Sequence, residues 1–534
     1  MYLFGFSIDN LSLLAVTLAV GFVVDDAIVM LENIVRHVER GETPMQAAFA
    51  GAREIGFTIV SMTLSLVAVF IPVLFMGGVV GRVFYEFAVT ITLAILISGV
   101  VSLTLTPMLC SRFLRPPAEK HGWFYRALET GFDAMLGAYR RSLDLVLEHR
   151  FTTLLVTLLT IVATGYLYVA VPKGFFPTED TGLLFARTEA AEGVSFEVMS
   201  VLQREAAAIV QDDPDVAVVN STAGGSAGSG TGNAGRMFIG LRPFEERTAS
   251  SDEVLQRLRR AVASLPNIKV YFQPVQNLNF GTRSSANRYQ YTLQASSLEE
   301  LTEWTPVVVD RLAQVPGLQD VTSDLKIDSP QAFLSIDRDK AATLGVTPAQ
   351  VRSSLYSAFG SRQVSTIYTP TDDYPVILEV DEARQQDISD LWRIYIRSSS
   401  GKLVPVGAFA SIQETLGPVE VSHQWQMPSV TISFALTPGT SIGDAVSRIQ
   451  AAERDLAIPA TIATGFTGTA ELFQEALAGQ GLLLLAAVIV MYIVLGILYE
   501  SFVHPLTILS GLPAAGVGAL LTLMLFRTEL NIYG

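Results

Sequence analysis

LAVGFVVDDAIVMLEN, residues 18–33, sets two adjacent aspartates, Asp25 and Asp26, in the middle of an otherwise uncharged apolar run. That run, residues 12–31, has the roughly 20 residues a helix needs to cross about 30 Å of hydrocarbon. Five more such runs follow at 57–76, 87–109, 151–171, 481–499 and 505–526, none with a charged side chain. Six membrane-spanning helices are therefore expected.

Composition points the same way. Of 534 residues, 50% are hydrophobic and 16% charged, against roughly 25% charged in a soluble protein. With 36 Lys plus Arg against 51 Asp plus Glu, the net charge of −15 leaves no basic footprint for nucleic acid. The one cysteine, Cys110, cannot form an intramolecular disulfide, and His37, His121, His149, His423 and His504 have no metal-ligand spacing. No nucleophile elbow, Ser/His/Asp order or cofactor loop supports an enzyme, so neither catalysis nor a cofactor is expected.

Basic residues mark the cytoplasmic side of short loops. Residues 32–56 carry Arg36, Arg40 and Arg53, and 111–150 carry seven basic residues including Arg112, Arg115, Arg140 and Arg141, whereas the loop between the second and third runs has only Arg82. The stretch 172–480 is then expected on the outer face, which in a Gram-negative cell means the periplasm. The opening MYLFGFSIDNLS lacks a signal peptide's basic region and cleavage site. Both ends read as those of a fragment.

The outer stretch holds 24 basic and 36 acidic side chains. Its pattern reads as strand 183–188, helix 196–210, strands 216–220 and 236–241, helix 251–264 and strand 268–273, a βαββαβ order. A second copy begins at RYQYTLQA from Arg288, with a helix at 298–314 and strands near Asp320 and Ala332. VTISFAL from Val430 and a helix at 441–456 supply its remaining half, leaving 339–423 as an insertion. Between two strands of the first copy, STAGGSAGSGTGNAG contains Gly224, Gly225, Gly228, Gly230, Gly232 and Gly235. This is read first as a flexible hairpin loop and is no phosphate cradle.

Each Asp at a helix centre costs about 2.5–3.5 kcal/mol to insert in a membrane. Two carboxyls this close in low dielectric cannot both ionise cheaply, which suits reversible proton uptake. Thr17 and Gly21 share a helical face with Asp25, a row that lets a neighbouring helix approach. Thr58, Ser61, Thr63, Ser65, Thr90, Thr92, Ser98, Ser102 and Thr104 add hydroxyls in the next two runs, most expected to bond backbone carbonyls. No Lys or Arg lies in any of the six runs.

GFVVDDAIVMLENIVRH, LTLTPMLC, GFFPTEDTG, LGILYESFVHPLTIL, SANRYQYTL and STIYTP together resemble the resistance-nodulation-division (RND) multidrug efflux transporters of Gram-negative inner membranes, essentially end to end. The resemblance implies an α-helical polytopic membrane protein with a large periplasmic α+β region, holding ferredoxin-like βαββαβ porter subdomains and an inserted docking module. The division it implies is a membrane part at 1–171 with an amphipathic cytoplasmic connection at 111–150, porter subdomains at 172–283 and at 284–338 with 424–480, a docking module at 339–423, and two spans in 481–534. It implies a trimeric proton antiporter for small amphipathic substrates, with a periplasmic membrane-fusion adaptor and an outer-membrane channel as partners. Asp25 and Asp26 would be its proton relay, the six loop glycines its switch loop, and Phe238 a candidate pocket aromatic. The family's relay lysine lies in a tenth span with no counterpart here. A metal-ion exporter of the same fold and a non-transporting scaffold or sensor are the alternatives.

Overall fold

The computed structural model describes residues 4–114, 123–224, 232–278, 285–381, 384–385 and 387–532. Helix α1, Asn10–Glu39, starts at a reciprocal cap: the Ser12 amide donates to Asp9 Oδ1 at 2.7 Å and the Asp9 amide to Ser12 Oγ at 2.9 Å. Thr43 caps α2, Pro44–Leu74, whose first residue is a proline that has no N–H to leave unsatisfied. Helix α3 is Gly78–Phe113, α4 is Trp123–Glu148 and α5 is Arg150–Ala170. Helices α1, α2 and α3 pack on one another. Ala15, Ala19, Ile91 and Ile95 fill the contact at one end of α1, and Met30, Ile34, Val38, Ala47, Ala48 and Ile59 fill it at the other. Gly51 sets the close approach of α2, since a Cβ there would lie 2.9 Å from Ile34 Cγ1.

The outer stretch opens with β1 (Leu183–Ala190), α6 (Phe196–Gln211), β2 (Val216–Ala223), β3 (Ala234–Leu241), α7 (Ser251–Val262) and β4 (Ile268–Pro274). The strands are antiparallel in the order β2-β3-β1-β4. Alternation along β1 and β3 explains the layer: Leu184, Ala186, Met237 and Ile239 are buried with Met199, Ala206, Val254 and Leu258 of the two helices, each large side chain worth about 1.5–3 kcal/mol.

Then come β5 (Tyr289–Gln294), α8 (Leu298–Ala313), β6 (Leu318–Ser323), β7 (Ser329–Ile336), α9 (Arg338–Thr343), α10 (Pro348–Phe359), β8 (Arg362–Tyr368), β9 (Asp373–Leu378), β10 (Tyr395–Arg397), β11 (Leu403–Pro405), β12 (Ala410–Gly417), β13 (His423–Gln424), β14 (Met427–Leu436), α11 (Ile442–Leu456) and β15 (Ala463–Thr467). A five-stranded sheet runs β13-β14-β5-β15, with β6 on β14. Without β13, its order β6-β14-β5-β15 repeats that of the first sheet, strand for strand. The strand expected near Ala332 departs from its reading as part of the second copy. As β7 it pairs with β12 from Ser329 opposite Gly417 to Ile336 opposite Ala410, and Leu334 and Ile336 pack on Ile396, Val406 and Phe409 of the inserted segment. Its ladder bonds are taken there, so it joins neither β5 nor β14.

Helix α12, Thr469–Leu498, begins well before the apolar run at 481. The last apolar run is split into α13, Val503–Leu509, and α14, Leu512–Leu525. Pro513 has no N–H to offer the Leu509 carbonyl, which breaks the helix at Ser510 and Gly511. On α5, the Thr164 hydroxyl donates to the Pro513 carbonyl at 2.8 Å. Among the described residues, six helices are long and apolar enough to cross a membrane: α1, α2, α3, α5, α12 and the 503–525 segment. The chain divides into two compact units, Met1–Pro177 with Leu436–Ala451 and Phe466–Gly534, and Thr178–Ala435 with Ala452–Gly465.

Candidate functional site

The two aspartates part company on α1. Asp26 lies on the face packed against α2 and α3, at 2% exposure, in line with Ala15, Ala19 and Met30. Asp25, one residue round the helix, is exposed, as are Thr17 and Gly21. The helix contact expected along Thr17, Gly21 and Asp25 is not made by any described element; a Cβ on Gly21 would meet nothing within 4 Å. The helices approach instead over Ala15 and Ala19, small residues four apart that meet the same spacing rule equally well.

Around Asp26 the bundle is tight and polar at once. The Thr63 hydroxyl of α2 faces the Asp26 carboxyl, and Gly99 of α3 makes room for it, since a Cβ there would stand 2.8 Å from Thr63 Oγ1. One turn before Asp26, the Val23 carbonyl accepts from the Ser98 hydroxyl at 3.4 Å. Yet Asp26 Oδ1 and Thr63 Oγ1 are buried without a partner in hydrogen-bonding geometry among the described residues. So are the hydroxyls of Ser61, Ser65, Thr90 and Thr92 and Glu86 Oε2. Backbone bonding, expected for most of these hydroxyls, holds for Thr104, which donates to Val100 O at 2.7 Å, and for Ser98, and fails for Ser61, Thr63, Ser65, Thr90 and Thr92. Each such group costs about 1–3 kcal/mol in a dry core.

Charged groups gather where α1 meets α2. Arg36 Nη2 lies 2.7 Å from Glu54 Oε1, and His37 lies 2.9 Å from both Glu54 Oε2 and Glu42 Oε1 through its two ring nitrogens. The Asn33 side chain donates to the Gly51 carbonyl at 3.1 Å. These contacts clamp the helical hairpin. From Asp26 to His37 is about 16 Å of helix, so the cluster does not neutralise the acidic pair.

Of the loop glycines, Gly225, Gly228 and Gly230 lie outside the described residues. Gly224 has φ +88°, which favours glycine. Gly235 is a strand residue of β3 opposite Thr188, and a Cβ on it would stand 2.6 Å from both Gln203 Oε1 and Thr188 Oγ1. That glycine serves packing rather than loop freedom. Phe238 is 51% exposed on the sheet face away from α6 and α7, its ring centroid 5.2 Å from that of Phe185.

An acidic pair on a spanning helix and a duplicated strand order define the molecule, and the sequence model of the AcrB/AcrD/AcrF family matches residues 1–534. The chain belongs to the AcrB/AcrD/AcrF family. It is thus an RND-type transporter and a membrane protein, not an enzyme by family. For an AcrB/AcrD/AcrF protein, the feature of α1 to be explained is the buried Asp26 carboxyl, which has no ion pair among the described residues.

Proposed function

We propose that this chain takes part in proton-driven efflux of drugs and other amphipathic compounds, with Asp25 and Asp26 as the proton relay. The observation that carries the reading is Asp26: buried between α2 and α3, its Oδ1 unpartnered among the described residues, with the Thr63 hydroxyl of α2 facing it in the same state. An ionised carboxyl is expensive there and a protonated one is not. Loading and unloading a proton therefore changes how comfortably the three helices pack, and that difference can drive a second conformation. Asp25, exposed on the neighbouring face, is the point from which protons or a cation-bearing helix reach the pair.

The two βαββαβ units of like strand order are, in this reading, ferredoxin-like porter subdomains, and the β7–β12 segment the docking module. The outer stretch lies in the periplasm of an inner-membrane protein. The glycine loop before β3 is the switch loop, and Phe238 lines the substrate pocket. A trimer of like or related subunits, a periplasmic adaptor and an outer-membrane channel complete the pump. The amphipathic α4, with Leu128, Phe132, Met135 and Tyr139 exposed, suits the cytoplasmic membrane surface.

The test is Asp26→Asn in an efflux assay in cells, with trimer assembly followed in parallel. Lost efflux with normal assembly supports the relay. Unchanged efflux, or loss traceable to failed assembly, returns Asp26 to a structural role in a scaffold.

A further inference from the structure

The turn that joins α1 to α2 is closed by groups that share protons. His37 lies beyond the apolar run at 12–31, which is the cytoplasmic end of α1 when the outer stretch is periplasmic. Its two ring nitrogens stand 2.9 Å from Glu42 Oε1 in the turn and 2.9 Å from Glu54 Oε2 on α2, and its side chain is only 13% exposed. Both contacts are of hydrogen-bonding length, so each needs a hydrogen between its heavy atoms. A neutral imidazole and two carboxylates bring one between them. The second is an added proton, whether the ring or a carboxyl carries it. The closed turn therefore binds one proton more than the same three groups do when fully deprotonated.

The surrounding charges decide which contact gives way. Arg36 Nη2 donates to Glu54 Oε1 at 2.7 Å and Asn33 Nδ2 to Glu54 Oε2 at 3.4 Å, so Glu54 stays partnered without the ring. Glu42 has no other side-chain partner among the described residues. Glu39, Arg40, Arg53 and Arg112 are exposed and make no ion pair with this set among the described residues. From α3, the titratable group packed at this end of the bundle is the buried Cys110 thiol, in one apolar contact with Met30, Ile34, Val38, Ala47, Ala48 and Ile59. Losing the added proton sets a bare ring nitrogen against a carboxylate oxygen, and the turn at Glu42 is the side free to part. That contact borders the buried acid: Met30 is one helical turn from Asp26 on α1, and Ile59 one turn from Thr63 on α2.

We propose that His37, Glu42 and Glu54 form a pH-sensitive clamp, which closes the α1–α2 turn over the Cys110 contact when a proton is bound and opens it as the cytoplasmic side turns alkaline. Its effect on transport rests on the reading of Asp26 as a proton relay; its opening and closing do not. In that reading each cycle delivers protons to the cytoplasmic side, so the clamp is a feedback brake. Acid inside stiffens the layer next to Asp26, and an alkaline interior frees it.

The one cysteine of the chain is the reporter. Alkylation of Cys110 by iodoacetamide is followed in the full chain in nanodiscs from about pH 6 to about pH 9, a range that spans imidazole titration. Each rate is divided by that of the chain unfolded in dodecyl sulfate at the same pH, which removes the thiol's own ionisation. The quotient should rise about tenfold with pH, as for the loss of one charge-assisted hydrogen bond. His37→Gln should flatten it. Glu42→Gln should flatten it too, because an amide can either accept from the ring or donate to it and so holds the turn shut throughout. A flat quotient in the unsubstituted protein, or the same rise in either variant, overturns the proposal, and each variant decides it should the other not assemble. Asp26→Asn should keep the rise. A rise in a protein whose efflux ignores Asp26→Asn would refute the relay reading alone, and efflux that needs Asp26 with a flat quotient would refute the clamp alone.

Discussion

Replacing Asp26 with Asn separates a relay carboxyl from a structural one by the sign of its effect on stability. The two side chains have nearly the same volume, so the Ala15–Ala19 contact and the Thr63–Gly99 approach are undisturbed. What changes is charge. If Asp26 held the bundle together through a buried ion pair, its removal would leave an uncompensated cation and cost about 3–5 kcal/mol. Among the described residues Asp26 has no such cation: the six apolar runs contain no Lys or Arg, and Oδ1 is unpartnered. Relieving a buried acid of insertion cost about 2.5–3.5 kcal/mol, partly offset by an amide that is itself short of partners, should leave the variant between neutral and about 2 kcal/mol more stable. Reversible unfolding of the protein and the variant in lipid-detergent mixtures, read by tryptophan fluorescence and far-ultraviolet circular dichroism, gives the difference. Destabilisation beyond about 2 kcal/mol would refute the reasoning.

Gly99→Ala drives a methyl to 2.8 Å from Thr63 Oγ1 and 3.1 Å from its Cγ2, so the variant should lose about 1–3 kcal/mol and shift transport, whereas Gly21→Ala, with open space around it, should be near neutral in stability. Gly235→Val should fail to close the first sheet, because its Cβ meets Gln203, Thr188 and the Thr222 carbonyl inside 3 Å; limited proteolysis of the outer region would report it. Asp215 accepts from the Thr248 amide at 2.9 Å and from Arg257 at 2.7 Å, in that order the causes that hold its carboxyl below the ordinary value of 3.8. A lowered folded value means its stabilisation is full above about pH 4 and is lost as the pH falls through the folded value. Asp215→Asn should therefore cost about 1–3 kcal/mol near neutrality and converge with the unsubstituted protein in strong acid, by thermal unfolding across pH.

The spans were legible because, Asp25 and Asp26 apart, no charged side chain interrupts them for about twenty residues at a time. Their ends were not: α12 gains residues 469–480 as polar helix, for which hydropathy has no signal, and Pro513 cuts the last span despite unbroken apolarity. The first sheet was legible through the alternation in β1 and β3. Strand β7 was not, since alternation tells which face is buried but not which strand is the partner, and β12 lies some 80 residues on. At the site, two adjacent acids announced themselves as costly. Which of them is buried depended on whether α2 and α3 pack over Ala15 and Ala19 or over Thr17 and Gly21, a choice between two rows of small residues that helical spacing alone leaves balanced. The partnerless hydroxyls of Ser61, Ser65, Thr90 and Thr92 are a tertiary outcome, because whether a hydroxyl turns to its own helix or inward is decided by its neighbours.

The claim that Asp26 takes up and releases a proton during transport is tested most directly by infrared difference spectroscopy of the assembled protein in lipid, with substrate added, comparing it with Asp26→Asn. A protonated-carboxyl band that rises and falls with substrate and with the imposed proton gradient, and that Asp26→Asn removes, is the predicted result. A spectrum in which the carboxyl stays ionised through the whole cycle, while substrate is still carried, would contradict it.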